Sequence, residues 1–163
     1  MKTKISMAAI ALFFIIGCGP NQPKQEEQQQ TEQQSSESTK FALKASNMQY
    51  IVLGPDSVLV ANQPDPTKAE VFEKVALGDG KYALKTSSGK YVTADRSRLN
   101  CLYANRDNPW LWETFDIISI DNAKINLKSS NGKFVGADYD NDSKMIASRD
   151  EAHVWEAFDV EAR

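Results

Sequence analysis

Two cysteines, one histidine and no run of basic residues leave this 163-residue chain with little reactive chemistry. With Cys18 in the N-terminal segment, Cys101 stands alone, so no disulfide can brace the remainder of the chain. Cys101 lies in the apolar strand pattern Leu99-Asn100-Cys101-Leu102-Tyr103 and reads as a small buried residue rather than a nucleophile. His153 cannot assemble the usual zinc ligand set by itself, and no serine has the glycine-flanked elbow of a hydrolase. No enzyme, metal or cofactor is expected. Lysine and arginine are dispersed and the net charge is -3, which excludes nucleic acid as a partner. Helical periodicity is also missing, and beyond Ile16 no apolar run is long enough to cross a bilayer.

What is present begins with an address. Met1-Lys2-Thr3-Lys4 is a short basic start, the apolar run Ile10 to Ile16 follows, and Gly17-Cys18 closes it. This is the build of a secretory signal, residues 1–17, too short for a comfortable transmembrane span. Ile15-Ile16-Gly17-Cys18 resembles the bacterial lipobox, and the resemblance implies cleavage before Cys18 and lipidation of that residue. Acyl chains there would hold the protein at a membrane without a spanning helix. Residues 18–40 are rich in Gln, Glu and Ser and hold no aromatic residue, so they cannot bury enough surface to offset the entropy of ordering. They read as a flexible tether of about 25 Å end to end. The expected location is the bacterial cell envelope, at the outer membrane or cell surface rather than the inner membrane.

Residues 41–163 have the size of one compact domain, and that domain repeats itself. Tyr82-Ala83-Leu84-Lys85-Thr86-Ser87-Ser88-Gly89-Lys90-Tyr91-Val92 recurs as Ile125-Asn126-Leu127-Lys128-Ser129-Ser130-Asn131-Gly132-Lys133-Phe134-Val135, and more faintly from Phe41 to Ile51. Each copy closes alike, on Glu70-x-Phe72, Glu113-x-Phe115 and Glu156-x-Phe158. The repeats therefore span 41–81, 82–124 and 125–163. Within each, short apolar segments alternate with Gly, Asn, Asp and Pro, the pattern of an all-β domain. In the third copy Asn131-Gly132 offers two residues that accept the positive φ of a hairpin turn. The final strand of each copy is expected to carry Trp112, Glu113 and Phe115, or Trp155, Glu156 and Phe158. Three copies of four strands, each copy about forty residues, predict a β-trefoil, because a propeller needs roughly four or more blades.

The Leu-x-Ser-x-x-Gly-Lys-Tyr-Val entry, the small alanine of the third strand and the Trp-Glu-x-Phe close resemble fascin-like β-trefoil domains. The resemblance runs from Phe41 to Arg163 and is strongest in the second and third copies. The first copy departs from it: Asn47-Met48-Gln49 replaces the Ser-Gly-Lys turn, Ala69 stands where Trp112 and Trp155 stand, and the stretch from Tyr50 to Ala61 is two residues shorter. The resemblance implies either actin-crosslinking or carbohydrate binding, and for an exported bacterial lipoprotein carbohydrate is the better match. The alternative is a structural or protein-interaction lipoprotein that docks on another envelope protein. A monomer is expected in either case. The close differs from that of ricin-type trefoil lectins, whose repeats end in Gln-x-Trp.

Repeated residues explain structure, so a ligand site is sought where the copies disagree. Phe72, Phe115 and Phe158 are expected in the core, and Glu70, Glu113 and Glu156 in a shared structural task such as accepting turn amide hydrogens. A catalytic carboxylate pair needs two acids roughly 5 to 10 Å apart at one bond, whereas these three belong to separate lobes. Trp110, in the polar loop Asp107-Asn108-Pro109-Trp110, has no aromatic counterpart in the other copies; an aromatic ring beside Asp107 and Asn108 suits stacking on a pyranose with polar groups on its hydroxyls. Tyr139, between Asp138 and Asp140, is a second candidate of this kind. Asp138, Asp140 and Asp142 imitate the opening of a calcium loop, but Ser143 stands in place of its glycine and Arg149 in place of its closing glutamate.

Overall fold

The computed structural model of the chain describes residues 40–163, so the predicted signal 1–17, lipidated Cys18 and the tether through Thr39 lie outside the described residues. Each repeat folds as four strands. The first lobe has β1 (Lys40–Lys44), β2 (Tyr50–Leu53), β3 (Leu59–Gln63) and β4 (Phe72–Gly78). The second has β5 (Lys81–Thr86), β6 (Tyr91–Asp95), β7 (Cys101–Arg106) and β8 (Phe115–Ser119), and the third has β9 (Lys124–Ser129), β10 (Phe134–Asp138), β11 (Lys144–Arg149) and β12 (Ala157–Ala162). No helix among the described residues is long and apolar enough to cross a membrane.

First and fourth strands pair around a closed ring: β1 with β4, β4 with β5, β5 with β8, β8 with β9, β9 with β12, and β12 with β1, all antiparallel. A ring of this kind leaves no unpaired sheet edge. Second and third strands form the hairpins β2–β3, β6–β7 and β10–β11. Their third strands meet in a cyclic register, with Val60 opposite Lys144, Ile146 opposite Cys101 and Tyr103 opposite Val58. A six-stranded barrel capped by three hairpins is a β-trefoil.

The core is built in threefold sets. Phe72, Phe115 and Phe158 are each 0 % exposed, and buried around them lie the sets Leu43, Leu84 and Leu127; Ile51, Val92 and Val135; and Leu59, Leu102 and Met145. Each fully buried side chain of this size contributes about 1.5–3 kcal/mol. Ala61, Ala104 and Ala147, one on each third strand, are buried with them.

Three local expectations are corrected. Trp112 and Glu113 lie in a 3₁₀ turn, Leu111–Glu113, and β8 starts only at Phe115; Trp155 and Glu156 likewise lie in the turn Val154–Glu156 ahead of β12. Leu99 and Asn100 have φ of 57° and 60° and precede β7 rather than belonging to it. In the third-lobe turn only Gly132 takes a positive φ, 81°. Asn131 instead works through its side chain, which accepts from the Lys133 amide at 2.9 Å and donates to the Ala147 carbonyl at 3.0 Å. Asn47 bonds Gln49 and Ala61 in the same way, at 3.0 Å each, so the first copy keeps this turn with Met48 held at φ 65° where the other copies have glycine.

Candidate functional site

The repeated glutamates hold turn amides. Glu113 is 3 % exposed, and its Oε2 accepts the Trp110 backbone N–H at 2.9 Å. Glu156 does the same for His153 at 2.9 Å, and Glu70 accepts the Ser87 N–H at 2.7 Å. In the second and third lobes this is the return half of a capping box, in which the third residue of the turn reaches back to its first amide. The other oxygen faces an arginine, Arg106 Nε 3.7 Å from Glu113 and Arg149 Nε 3.7 Å from Glu156. With the glutamates committed to backbone, the turns push their apolar side chains outward. Trp110 is 76 % exposed and Trp155 56 %, with Leu111 and Val154 exposed beside them and Trp112 half-buried.

Two clefts form at these turns, and together they hold all three tryptophans of the chain. The second-lobe cleft, about 490 Å³, brings Asp107, Asn108 and Trp110 together with Arg106, Trp112 and Glu113. Asp107 there is bound to Lys90 at 2.5 Å, and Asp150 pairs with Lys133 at the corresponding place in the third lobe. Asp107 thus belongs to a repeated surface pair as much as to the cleft. The guanidinium of Arg96 lies over the Trp112 ring, 5.9 Å from its centroid.

The third-lobe cleft, about 390 Å³, collects Asp138, Tyr139 and Asp140 with Arg149, Glu151, His153, Trp155 and Glu156. Tyr139 meets Trp155 edge-on at 5.4 Å between centroids, and its hydroxyl shares a 2.8 Å hydrogen bond with Ser46 of the first lobe. The six residues singled out in the sequence therefore divide between two clefts and do not converge on one. Asp142 turns away to Lys144, 3.5 Å distant, and among the described residues no group of three or more His, Cys, Asp or Glu is placed to hold a metal ion. His153 is exposed and faces Glu151 at 3.6 Å. Cys101 is buried at the start of β7, and burial pushes its thiol above the ordinary value, which leaves it less nucleophilic.

Reading for disagreement between copies missed Arg96, Arg106, Arg149, Glu151 and Ser46. Arg96 was within reach of it: Ala94-Asp95-Arg96 aligns with Ala137-Asp138-Tyr139, and the aligned pair occupies the same place against Trp112 and Trp155, whereas Arg106 and Arg149 are the same residue at equivalent positions and show no disagreement. Ser46 carried no signal, because it meets Tyr139 only through the closure of the first lobe on the third.

The architecture is shared with solved structures. A protein described as "Crystal structure of designed 3-fold symmetric protein, ThreeFoil" superposes with a TM-score of 0.65 at 12 % identity, covering 76 % of this chain and 98 % of that one. That similarity concerns the fold alone. No curated protein matches the sequence. Residues 77–163, more than half of the chain, match a family described as "Domain of unknown function (DUF7910)".

Proposed function

We propose, on the premise that the chain belongs to the DUF7910 family, that it is a noncatalytic β-trefoil binding module whose second-lobe cleft takes carbohydrate. The observation that carries this reading is Trp110, 76 % exposed yet fixed through its backbone by a buried glutamate. An exposed indole carried on a fixed backbone offers a stacking face, and the neighbouring Asn108 and Arg106 supply donors and acceptors for hydroxyls. Asp107 serves from within its pair with Lys90. In the third-lobe cleft Tyr139, Asp138 and Asp140 offer the same elements in a second setting. The fascin-like resemblance agrees with this choice. Export and anchoring rest on the sequence of residues 1–18: a signal cut before Cys18, lipid on that cysteine, and a monomeric domain tethered at the outer membrane or cell surface of a bacterium.

The test is a glycan array with polysaccharide affinity gels, comparing the chain with its Trp110→Ala variant. Saturable retention that the variant loses, with its unfolding transition unchanged, supports the reading; no retention on any glycan overturns it. A second reading, docking on an envelope protein, is favoured by Leu111, Val154 and Trp155, exposed by 63 %, 74 % and 56 %. It predicts that Val154→Asp abolishes capture of the partner, and that neither the parent chain nor this variant is retained on any glycan.

A further inference from the structure

The second and third clefts are copies of each other in which one element has been exchanged. Both are built on a tryptophan of a 3₁₀ turn, both hold the turn with a buried glutamate, and both set an arginine 3.7 Å from that glutamate. In the second lobe the protein itself lays a cation on the tryptophan: Arg96, 5.9 Å from the Trp112 centroid. In the third lobe Tyr139 stands at the position of Arg96, so that Trp155 meets an aromatic edge and, among the described residues, no side-chain cation lies over its ring. The Tyr139 hydroxyl shares a 2.8 Å hydrogen bond with Ser46, and the two rings stand at 65° to each other.

Acidic side chains outnumber basic ones around the third-lobe cleft. Arg149 is engaged by Glu156 at 3.7 Å and His153 lies 3.6 Å from Glu151. Asp138 and Asp140 line the same cleft, and neither has an ion-pair partner among the described residues. Carboxylates in excess beside an exposed indole and a tyrosine reproduce the elements by which proteins capture ammonium groups: ring faces for the polarised methylenes or N–H bonds, and anions for the charge.

We infer that the third-lobe cleft is a binding site for an ammonium group, carried by an amino sugar or another small organic amine, with Trp155 and Tyr139 as its walls and Asp138 and Asp140 as its counter-charge. This site is separate from the one assigned to neutral carbohydrate in the second lobe, and it stands without that reading.

The three indole N–H resonances of the ¹⁵N-labelled full chain report on the clefts separately, Trp155 for the third lobe and Trp110 with Trp112 for the second. Three probes are titrated: the unacetylated trisaccharide of glucosamine, its fully N-acetylated counterpart, and tetramethylammonium chloride. The expected result is a saturable shift of Trp155 with the unacetylated trisaccharide, and a response to the acetylated one at least about tenfold weaker. A shift with tetramethylammonium alone assigns the site to alkylammonium ligands rather than to sugars. Tyr139→Arg, which copies the second-lobe arrangement, should block the site, and Asp138→Asn with Asp140→Asn should weaken it by roughly three- to tenfold at low salt. Equal response of Trp155 to acetylated and unacetylated sugar, no response to either ammonium probe, or unchanged affinity in Tyr139→Arg would overturn the inference. Shifts confined to Trp110 and Trp112 would overturn it while leaving the second-lobe reading standing.

Discussion

Removing the Glu113 carboxylate is the sharpest probe of how this fold presents its exposed indoles. Glu113 is 3 % exposed, and one oxygen accepts the Trp110 amide at 2.9 Å while the other lies 3.7 Å from Arg106 Nε. A hydrogen bond to a charged acceptor contributes about 1.5–3 kcal/mol. The ion pair counts for less, because Arg106 is 43 % exposed and solvent screens it to about 0.5 kcal/mol. Glu113→Ala is therefore expected to cost about 2 kcal/mol, a fall of roughly 8 °C in melting temperature for a domain of this size. Glu113→Gln retains an acceptor and should cost about half as much, since its amide group then meets a guanidinium with donors on both sides. Arg106→Ala should cost about 0.5 kcal/mol. Urea unfolding followed by tryptophan fluorescence measures all three, and the glycan retention of each variant shows whether the clamp also positions Trp110. If Arg106→Ala destabilised the chain as much as Glu113→Ala, the ion pair and not the amide bond would hold the turn, and the reasoning fails.

Met48→Gly should stabilise the domain by about 0.5–1 kcal/mol, because Met48 is held at φ 65° at a site where the other lobes have Gly89 and Gly132; the urea midpoint should rise with an unchanged slope. Thr93 is fully buried and its hydroxyl has no hydrogen-bond partner, so Thr93→Val should gain about 1 kcal/mol in calorimetry, and a loss of that size would contradict the missing partner. Glu161 is held below the ordinary carboxylate value by the Tyr50 hydroxyl, 2.7 Å away, with Lys44 and Arg163 adding to the effect. A depressed acid stabilises the fold above its unfolded-state value, and that stability is lost as pH falls through the folded-state value. Tyr50→Phe should accordingly flatten the acid limb of a stability–pH curve, and an unchanged limb would rule the bond out as its source.

The repeated Glu-x-Phe close, the apolar alternation and the turn glycines state the trefoil openly, because a threefold barrel imposes the same burial on each copy and the copies then spell it alike. What the pattern could not give was the break between turn and strand at Trp112 and Trp155. The reach of Glu113 and Glu156 back to an earlier amide stops extended pairing there, and that is a hydrogen-bond preference with no hydrophobic period. Leu99 misled for a similar reason: an apolar residue at positive φ looks like strand until the backbone is seen. At the candidate sites, Trp110 and Tyr139 were visible as departures from the repeat. That each turn builds a cleft from residues of its own lobe, and so keeps the two apart, was not. Met48 shows the converse, a departure in letters that leaves the turn in place.

Strands β1 and β12 pair along their length, from Phe41 opposite Ala162 to Lys44 opposite Asp159, and the Arg163 amide donates to the Lys40 carbonyl at 3.0 Å. The beginning and end of the domain therefore meet at a seam like the β4–β5 and β8–β9 junctions that link the other lobes. Until β12 pairs with β1 the barrel is open at this seam. In the finished molecule the starting point is arbitrary. A short linker across Lys40 and Arg163, with a new opening at the exposed Gly78-Asp79-Gly80 turn, would give a circular permutant that begins with the second lobe and keeps every strand pairing.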